Sequence, residues 1–242
     1  MFGFANTSQS IGEVLADGFK LYRLTVLKVF PLAGLSLLIG AIPTLSGLNV
    51  EAIQVGNAPN VAALIVPVLT LVLTLLAALA VSVALIQSMY ALAWGRNDRW
   101  MDRLRVMMRR FGSIIGVFIF SSALMVIGFT AFFFPGVFVS VLLLFCMPLV
   151  VLDNCGWVGA IKKSCQLVWG HWWNTFLVMV VPMLLSFFLM TLITAIAKKN
   201  ELLLTVMNVV VMSFFMPFFY AVLLVQFNNL KLKQAAKPAE ST

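Results

Sequence analysis

The sequence predicts an all-α integral membrane protein, with six transmembrane helices in three hairpins and a cytoplasmic interfacial amphipathic helix before each hairpin. Three observations carry that prediction. Of 242 residues, 62% are hydrophobic and 10% charged, whereas soluble domains hold about 45–50% apolar and about 25% charged residues. Most of the apolar residues fall into runs of about 20 or more, long enough to cross a ~30 Å hydrocarbon core as helices. The 16 Lys and Arg and the 8 Asp and Glu gather in short islands between those runs. Spanning strands would show alternating segments of about ten residues instead. The pattern excludes a soluble enzyme, a nucleic-acid-binding domain and a disulfide scaffold. The net charge of +8 therefore reports topology and lipid contact.

Met1 to Ser10 is polar and carries no cleavable signal, so this segment is expected to remain on the mature protein. Ile11, Val14, Leu15, Phe19, Tyr22 and Val26 then recur at helical spacing, opposite Glu13, Asp17 and Lys20. Ser10 to Glu13 fits a capping box, which marks the helix start. The first span is expected over 29–45, followed by an outer loop at 46–60 whose single charge is Glu51. The second, over 61–94, would be about 50 Å long at 1.5 Å per residue, so it must tilt, kink near Pro67 or project. Its cytoplasmic end is expected to project.

A second amphipathic stretch sets Trp100, Leu104, Met108 and Phe111 against Arg99, Asp102, Arg103, Arg109 and Arg110. Spans three (112–134) and four (136–152) run together without a charge, divided only by Phe134-Pro135-Gly136, which reads as a tight helical hairpin. The third amphipathic stretch places Trp157, Ile161, Cys165, Val168 and Trp172 opposite Lys162, Lys163 and Gln166. Spans five and six follow over 173–197 and 202–227. A disordered basic tail is expected from 229 to 242. Each amphipathic helix would lie in the cytoplasmic interface with its rings at headgroup depth and its cations toward anionic lipid.

Orientation follows from the basic residues. With the N-terminus inside, all Lys and Arg except Lys198 and Lys199 fall on the inner face, so both termini are expected to be cytoplasmic. One interfacial helix and two spans recur three times, which predicts a pseudo-repeat of units 8–94, 95–153 and 154–228 within one membrane domain, 1–228. Cys146, Cys155 and Cys165 are odd in number and lack metal-ligand spacing, so all three are read as reduced and structural.

The run from Phe145 to Trp173 contains Pro148, Asp153, Ala160, Ser164, Leu167, Gly170 and Trp173. Here the chain resembles the YciC-like bacterial inner-membrane proteins and the related membrane domain attached to some glycerophosphodiester phosphodiesterases. The shared pattern is a span-ending Pro, an acidic residue five positions on, and a helix reading Ala, three residues, Ser, two residues, Leu, two residues, Gly and an aromatic pair. Phe134-Pro135-Gly136 is similar to the turn that opens the same unit. Asp153 stands where Glu is commoner in that family, and the fourth span lacks the basic residue that relatives often carry. The resemblance implies an inner-membrane location and a six-span architecture, with little chemistry. No phosphodiesterase catalytic domain is present in the chain.

Asp153 precedes the third amphipathic helix, where a carboxylate accepts backbone N–H bonds and faces the positive helix end. Its alternative role is a headgroup or cation contact involving Lys162, Lys163 or His171. Ser164 is placed with it, as a cap or polar contact. His171, the single histidine, sits among Trp169, Trp172 and Trp173, which read as interfacial anchors. With Cys155 and Cys165 it matches no standard zinc spacing, so no metal or other cofactor is expected.

No charge is placed inside the six spans, which disfavours pump-like and voltage-sensing mechanisms. Gln87, Ser122 and Asn208 remain as a possible intramembrane polar path or as interhelical hydrogen-bond partners. Six arginines and two aspartates within fifteen residues form the strongest electrostatic feature. Each cation contributes up to about 1 kcal/mol of attraction to an anionic leaflet. Arg99, Arg103, Arg105, Arg109 and Arg110, with Lys162 and Lys163, are therefore the candidate lipid-headgroup residues.

No triad, metal motif or phosphate loop is present in the sequence, so a non-enzyme is expected. The leading expectation is a lipid-facing or scaffolding protein whose partners are anionic membrane lipids, with a protein partner in the membrane possible and no nucleic acid. The rivals are a small permease for a lipid or amphiphile and a subunit or regulator of a larger envelope complex.

Overall fold

A computed structural model describes residues 3–5, 7–45, 61–96, 100–197 and 200–236. Within these, the side chains of Ser36, Gly40, 42–45, 61–64, Val66, Pro67, 100–104 and Glu201 are excepted. The outer loop with Glu51, together with Arg99, Lys198 and Lys199, lies outside the described residues, as does the side chain of Arg103.

Eight helices follow one another among the described residues: α1 (Ile11–Leu45), α2 (Val61–Ala93), α3 (Trp100–Ala131), α4 (Phe133–Leu143), α5 (Cys146–Leu152), α6 (Trp157–Val168), α7 (Trp172–Ala197) and α8 (Glu201–Ala236). Six stretches are long and apolar enough to cross a membrane, with α4 and α5 together making the fourth. The chain is a polytopic α-helical membrane protein. Its exposed surface carries large apolar side chains, such as Leu73 on α2, Ile127 on α3 and Phe187 on α7, as a lipid solvent allows.

Four local expectations are corrected. The first two amphipathic stretches are not separate helices, because each runs into its span as one α-helix. Nothing between Lys20 and Phe30 breaks the backbone ladder, and a glycine such as Gly112 opposes it by only about 1 kcal/mol. The turn between spans three and four falls at Phe132 and not at Phe134-Pro135-Gly136: Phe132 is extended (φ −169°, ψ 157°) and Pro135 lies in the first turn of α4, where its missing N–H has no helical partner to lose. The tail is helical as far as Ala236, with Asn229 and Leu230 buried. The inward faces are also rotated. On α1 they are Val14, Gly18, Leu21, Thr25 and Val29, and on α6 Ala160, Ser164, Leu167 and Val168. Small or hydroxylic residues such as Gly18, Thr25, Ala160 and Ser164 lie inward because they allow close approach and make hydrogen bonds, and the predicted apolar stripes, Val14 and Val168 apart, lie along the flanks.

The backbone of the bundle is the antiparallel pair α1 and α8. Gly18 sits so close to α8 that a Cβ there would fall 2.8 Å from Val222 Cγ2 and 3.1 Å from its Cα. Farther along, the rings of Phe30 and Phe214 lie 4.4 Å apart. In α8, every residue from Ala221 to Phe227 is buried. This pairing places exposed Arg23 and Lys28 beside the apolar 214–222 segment of α8, whereas the sequence had assigned them to the flank before the first span. Their long apolar stems allow the charged ends to reach toward more polar surroundings.

Sequential helices also pair: α2 packs on α1, α4 on α3 and α7 on α8. Phe4 is buried against Tyr90 and Trp94, with ring centroids 5.9 and 5.8 Å away. The N-terminal segment thus straps the ends of α2 and α8, since Asn228 Nδ2 donates to the Ala5 carbonyl at 3.3 Å and the Gln9 N–H donates to Asn229 Oδ1 at 2.8 Å. The predicted capping box forms: the Ser10 N–H donates to Glu13 Oε2 at 2.8 Å, and the Glu13 N–H to Ser10 Oγ at 3.5 Å.

Candidate functional site

The site grows from the corner between α5 and α6. After Leu152 the chain reverses through Asn154 in the left-handed region, φ 57°, a conformation Asn tolerates better than most side chains. The N–H groups of Asp153 and Cys155 both donate to the Leu149 carbonyl, at 3.2 and 3.3 Å. Gly156 then opens α6 in extended conformation, with no side-chain cap hydrogen bond. Asp153 therefore does not cap α6. Its carboxylate instead takes the Lys231 ammonium at 2.6 Å, from the last turns of α8 that the sequence had read as tail. The same ammonium lies 4.5 Å from the centroid of the Phe227 ring, which adds a cation–π contact.

Two further cations reach the corner. Arg110 Nη1 donates to the Asn154 carbonyl at 2.7 Å, and Lys163 Nζ to Cys155 Sγ at 3.4 Å. Basic side chains from α3, α6 and α8, distant in sequence, thus share one short turn. Arg105, Arg109 and Lys162 are exposed on the same helices. The single carboxylate at the turn is already matched by Lys231, so the surrounding cations leave a net positive field.

Ser164 has a different task. Pro148 lacks an N–H and cannot bond to the Leu144 carbonyl, so the fourth span breaks between α4 and α5. The buried Ser164 hydroxyl donates to the Leu142 carbonyl at 2.6 Å and accepts the Phe145 N–H at 3.3 Å. It repairs the break from α6. The stack of Trp157 on Phe120, 4.4 Å between centroids, fixes the other end of α6 to α3.

Gln87, Ser122 and Asn208 are half-buried and do not form one path. Gln87 lines a cavity of about 130 Å³ between α2, α3 and α5, which neither Ser122 nor Asn208 lines. Asn208 lies near the opposite end of α8 from Asn228, about 30 Å away at 1.5 Å per residue. A second cavity of about 450 Å³, between α1, α7 and α8, is lined by apolar and aromatic residues including Phe19, Tyr22, Val210 and Phe214.

Sequence reasoning missed a buried polar chain. Gln226 Nε2 donates to Thr175 Oγ1, and Asn229 Nδ2 reaches both Gln226 Oε1 and the Gln9 carbonyl, each at 3.3 Å. Gln9 Nε2 continues it to Asp17 Oδ2 at 2.6 Å. Gln226 and Asn229, three apart near the end of an apolar helix, were the available signal. Their mutual hydrogen bonding makes them a clamp between α7, α8 and the N-terminal strap.

All three cysteines are free. Burial pushes the Cys165 thiol above its ordinary pKa. Among the described residues no group of three His, Cys, Asp or Glu side chains could hold a metal ion. Compared with known protein families, curated proteins and solved structures, the chain matches none.

Proposed function

We propose that this is a non-enzymatic membrane protein that holds anionic lipid at the cytoplasmic leaflet through its basic end. The convergence of Arg110, Lys163 and Lys231 on the α5–α6 turn carries the reading. Three chain segments contribute cations to one place and only one carboxylate of that turn answers them. Arg105, Arg109 and Lys162 extend the field along α3 and α6, each contributing up to about 1 kcal/mol toward an anionic surface, and Arg99 and Arg103, which lie outside the described residues and side chains, are proposed with them. The preponderance of Lys and Arg at this end supports a cytoplasmic placement, with both termini inside. The Pro148, Asp153 and Ser164 pattern supports kinship with the YciC-like inner-membrane proteins, and with it a bacterial inner-membrane location.

The test is gentle extraction followed by native mass spectrometry with lipid identification. Wild type is expected to retain phosphatidylglycerol or cardiolipin selectively over phosphatidylethanolamine. Replacing Arg103, Arg109 and Arg110 together by Gln should remove that selectivity, and unchanged lipid content would overturn the reading.

A second reading, carriage of a lipid or amphiphile, is favoured by the apolar cavity of about 450 Å³ between α1, α7 and α8, a size within the usual range for small-molecule sites. Bulky substitution at Val210 should then block transfer of a fluorescent lipid across vesicles without altering anionic-lipid retention.

A further inference from the structure

The apolar cavity of about 450 Å³ between α1, α7 and α8 has one polar end. Phe19 and Tyr22 line it from α1, Leu185 and Leu189 from α7, and Phe214 and Phe218 from α8. Phe218 meets Phe19 and Tyr22 edge-on, with centroids 6.4 and 5.8 Å away, so these three rings close one end. The lining continues along α8 to Val210, eight residues or about 12 Å farther. Among the described residues Tyr22 is the one polar side chain in that lining, and it stands at the ring-closed end. The helices are pinned on the same side: Gly18 holds α1 against Val222, one turn from Phe218, and Gln226 Nε2 holds α7 through Thr175 Oγ1, two turns from it.

Exposed Arg23 follows Tyr22 and stands four residues after Phe19, a spacing that puts the Cβ atoms of 19 and 23 about 5–6 Å apart on one face of α1. Helical side chains lean toward the N-terminus, here toward the ring-closed end. The helices that pack on α1 bring no acid to it. Neither α2 nor α7 contains Asp or Glu, and the one acid of α8, Glu201, begins that helix about 25 Å from Phe218 at 1.5 Å per residue. On α1 itself, Asp17 is bonded to Gln9 and lies about 120° around the helix from Arg23, while Glu13 is bonded to Ser10 about 15 Å back along the axis. Among the described residues, neither the Arg23 guanidinium nor the Tyr22 hydroxyl has a hydrogen-bond or ion-pair partner. A cation among apolar spans is costly until its charge is matched.

We propose that the cavity seats a long-chain fatty acid, its aliphatic chain along Phe214 and Val210 and its carboxylate at the ring-closed end, where Arg23 matches the charge and the Tyr22 hydroxyl donates a hydrogen bond. This rests on the carriage reading of the same cavity and names its substrate class. One cation and one phenol suit one carboxylate, to which a guanidinium presents a two-pronged donor fork. At ~30 Å³ per water-sized group the volume holds about fifteen such groups, enough for one long chain and not for the two of a phospholipid.

The experiment labels the full chain in phosphatidylcholine nanodiscs with a diazirine analogue of palmitate and maps the cross-links by digestion and mass spectrometry. Label should fall on the stretches 19–22 and 210–218 and be displaced by excess oleate, but not by oleyl alcohol or phosphatidylglycerol. The Arg23→Gln, Tyr22→Phe, Val210→Trp and Lys28→Gln variants are compared after unfolding temperatures confirm an intact fold. Arg23→Gln should weaken binding by about tenfold or more, as expected for the loss of a charge-assisted hydrogen bond, and Tyr22→Phe by about fivefold. Val210→Trp, which fills the chain end, should remove labelling. Lys28→Gln is the control, because five residues turn Lys28 about 140° around α1 from Arg23, and it should label as wild type does.

Equal displacement by oleyl alcohol overturns the proposal, since the charge then selects nothing. Equal losses in Arg23→Gln and Lys28→Gln overturn it in favour of a diffuse positive field, and displacement by phosphatidylglycerol overturns it in favour of a phospholipid chain. Cross-links between two copies of the protein through 210–218 overturn it by making the cavity a subunit interface. Wild type that transfers fluorescent lipid across vesicles but takes no label removes the fatty acid and keeps carriage, whereas label seated at these residues and never transferred supports the seat and removes carriage.

Discussion

Ser164 Oγ lies 2.6 Å from the Leu142 carbonyl oxygen, across the helix pair α6 and α4, and donates its proton there. The same hydroxyl accepts the Phe145 N–H, so one buried side chain satisfies both backbone groups at the break in the fourth span. Ser164→Ala should therefore destabilise the fold by about 1–3 kcal/mol. Ser140→Ala is the control, because Ser140 bonds only within its own helix, to the Gly136 carbonyl, and its loss should be under about 1 kcal/mol. Thermal unfolding of the two variants in one detergent checks the contrast, and equal effects would remove Ser164 from this role.

The tip of the α3–α4 hairpin makes a second, sharper contrast. A Cβ on Gly128 would sit 3.0 Å from Gly136 Cα and 3.4 Å from the Pro135 carbonyl oxygen, both backbone atoms that cannot swing away. A Cβ on Gly136 would meet the ring of Phe129, an exposed side chain free to rotate. Gly128→Val should cost about 1–3 kcal/mol through overpacking, with Gly136→Ala well below it. Unfolding midpoints in a denaturing detergent series measure both.

Much of this architecture is legible in the chain because lipid makes apolar run length decisive. The six spans, the capping box at Ser10 and Glu13 and the end of the second span, read at Trp94 and found at Ala93, follow from composition and local chemistry. What was hidden depends on partners distant in sequence. Gly18 lay outside the predicted apolar stripe and Ser164 was read as a cap or polar contact, yet both face inward because α8 and the broken fourth span require them there. Asp153 looked like an N-cap on local grounds, and only the unexpected extension of α8 brings Lys231 to it. The basic cluster was visible as a set of residues, but its seat on the α5–α6 turn depends on the left-handed Asn154.

The cysteines should report the packing of α6. Thiolate is the reactive form, and burial raises the Cys165 pKa, so near neutral pH the folded protein holds less thiolate there than a free cysteine, whose pKa is about 8.5. Maleimide labelling of Cys165 should be slower than in denatured protein and should rise with pH beyond the point where a free thiol levels off. Cys146 and Cys155, both buried, should label only on unfolding. Fast labelling of all three in the native state would contradict the packing of α6 against α4 and α5.

The Lys231–Asp153 pair allows charge and stability to be separated. Both side chains are partly open, 38% and 26% exposed, so solvent screening limits the pair to about 0–1 kcal/mol of stability. Its larger effect is on the field at the basic end. Asp153→Asn leaves Lys231 unmatched and adds one unit of positive charge, whereas Lys231→Met leaves Asp153 unmatched and removes one. A charge at this position is worth up to about 1 kcal/mol toward an anionic leaflet, or about fivefold in lipid partitioning. Asp153→Asn should therefore raise phosphatidylglycerol enrichment around the protein and Lys231→Met should lower it, both effects fading in high salt. Fluorescent-lipid annular exchange across a salt series reads the sign directly. Opposite signs with small changes in unfolding temperature fit a pair that trims the basic field. Parallel losses of several kcal/mol in stability would instead make it a structural strut between α5 and α8.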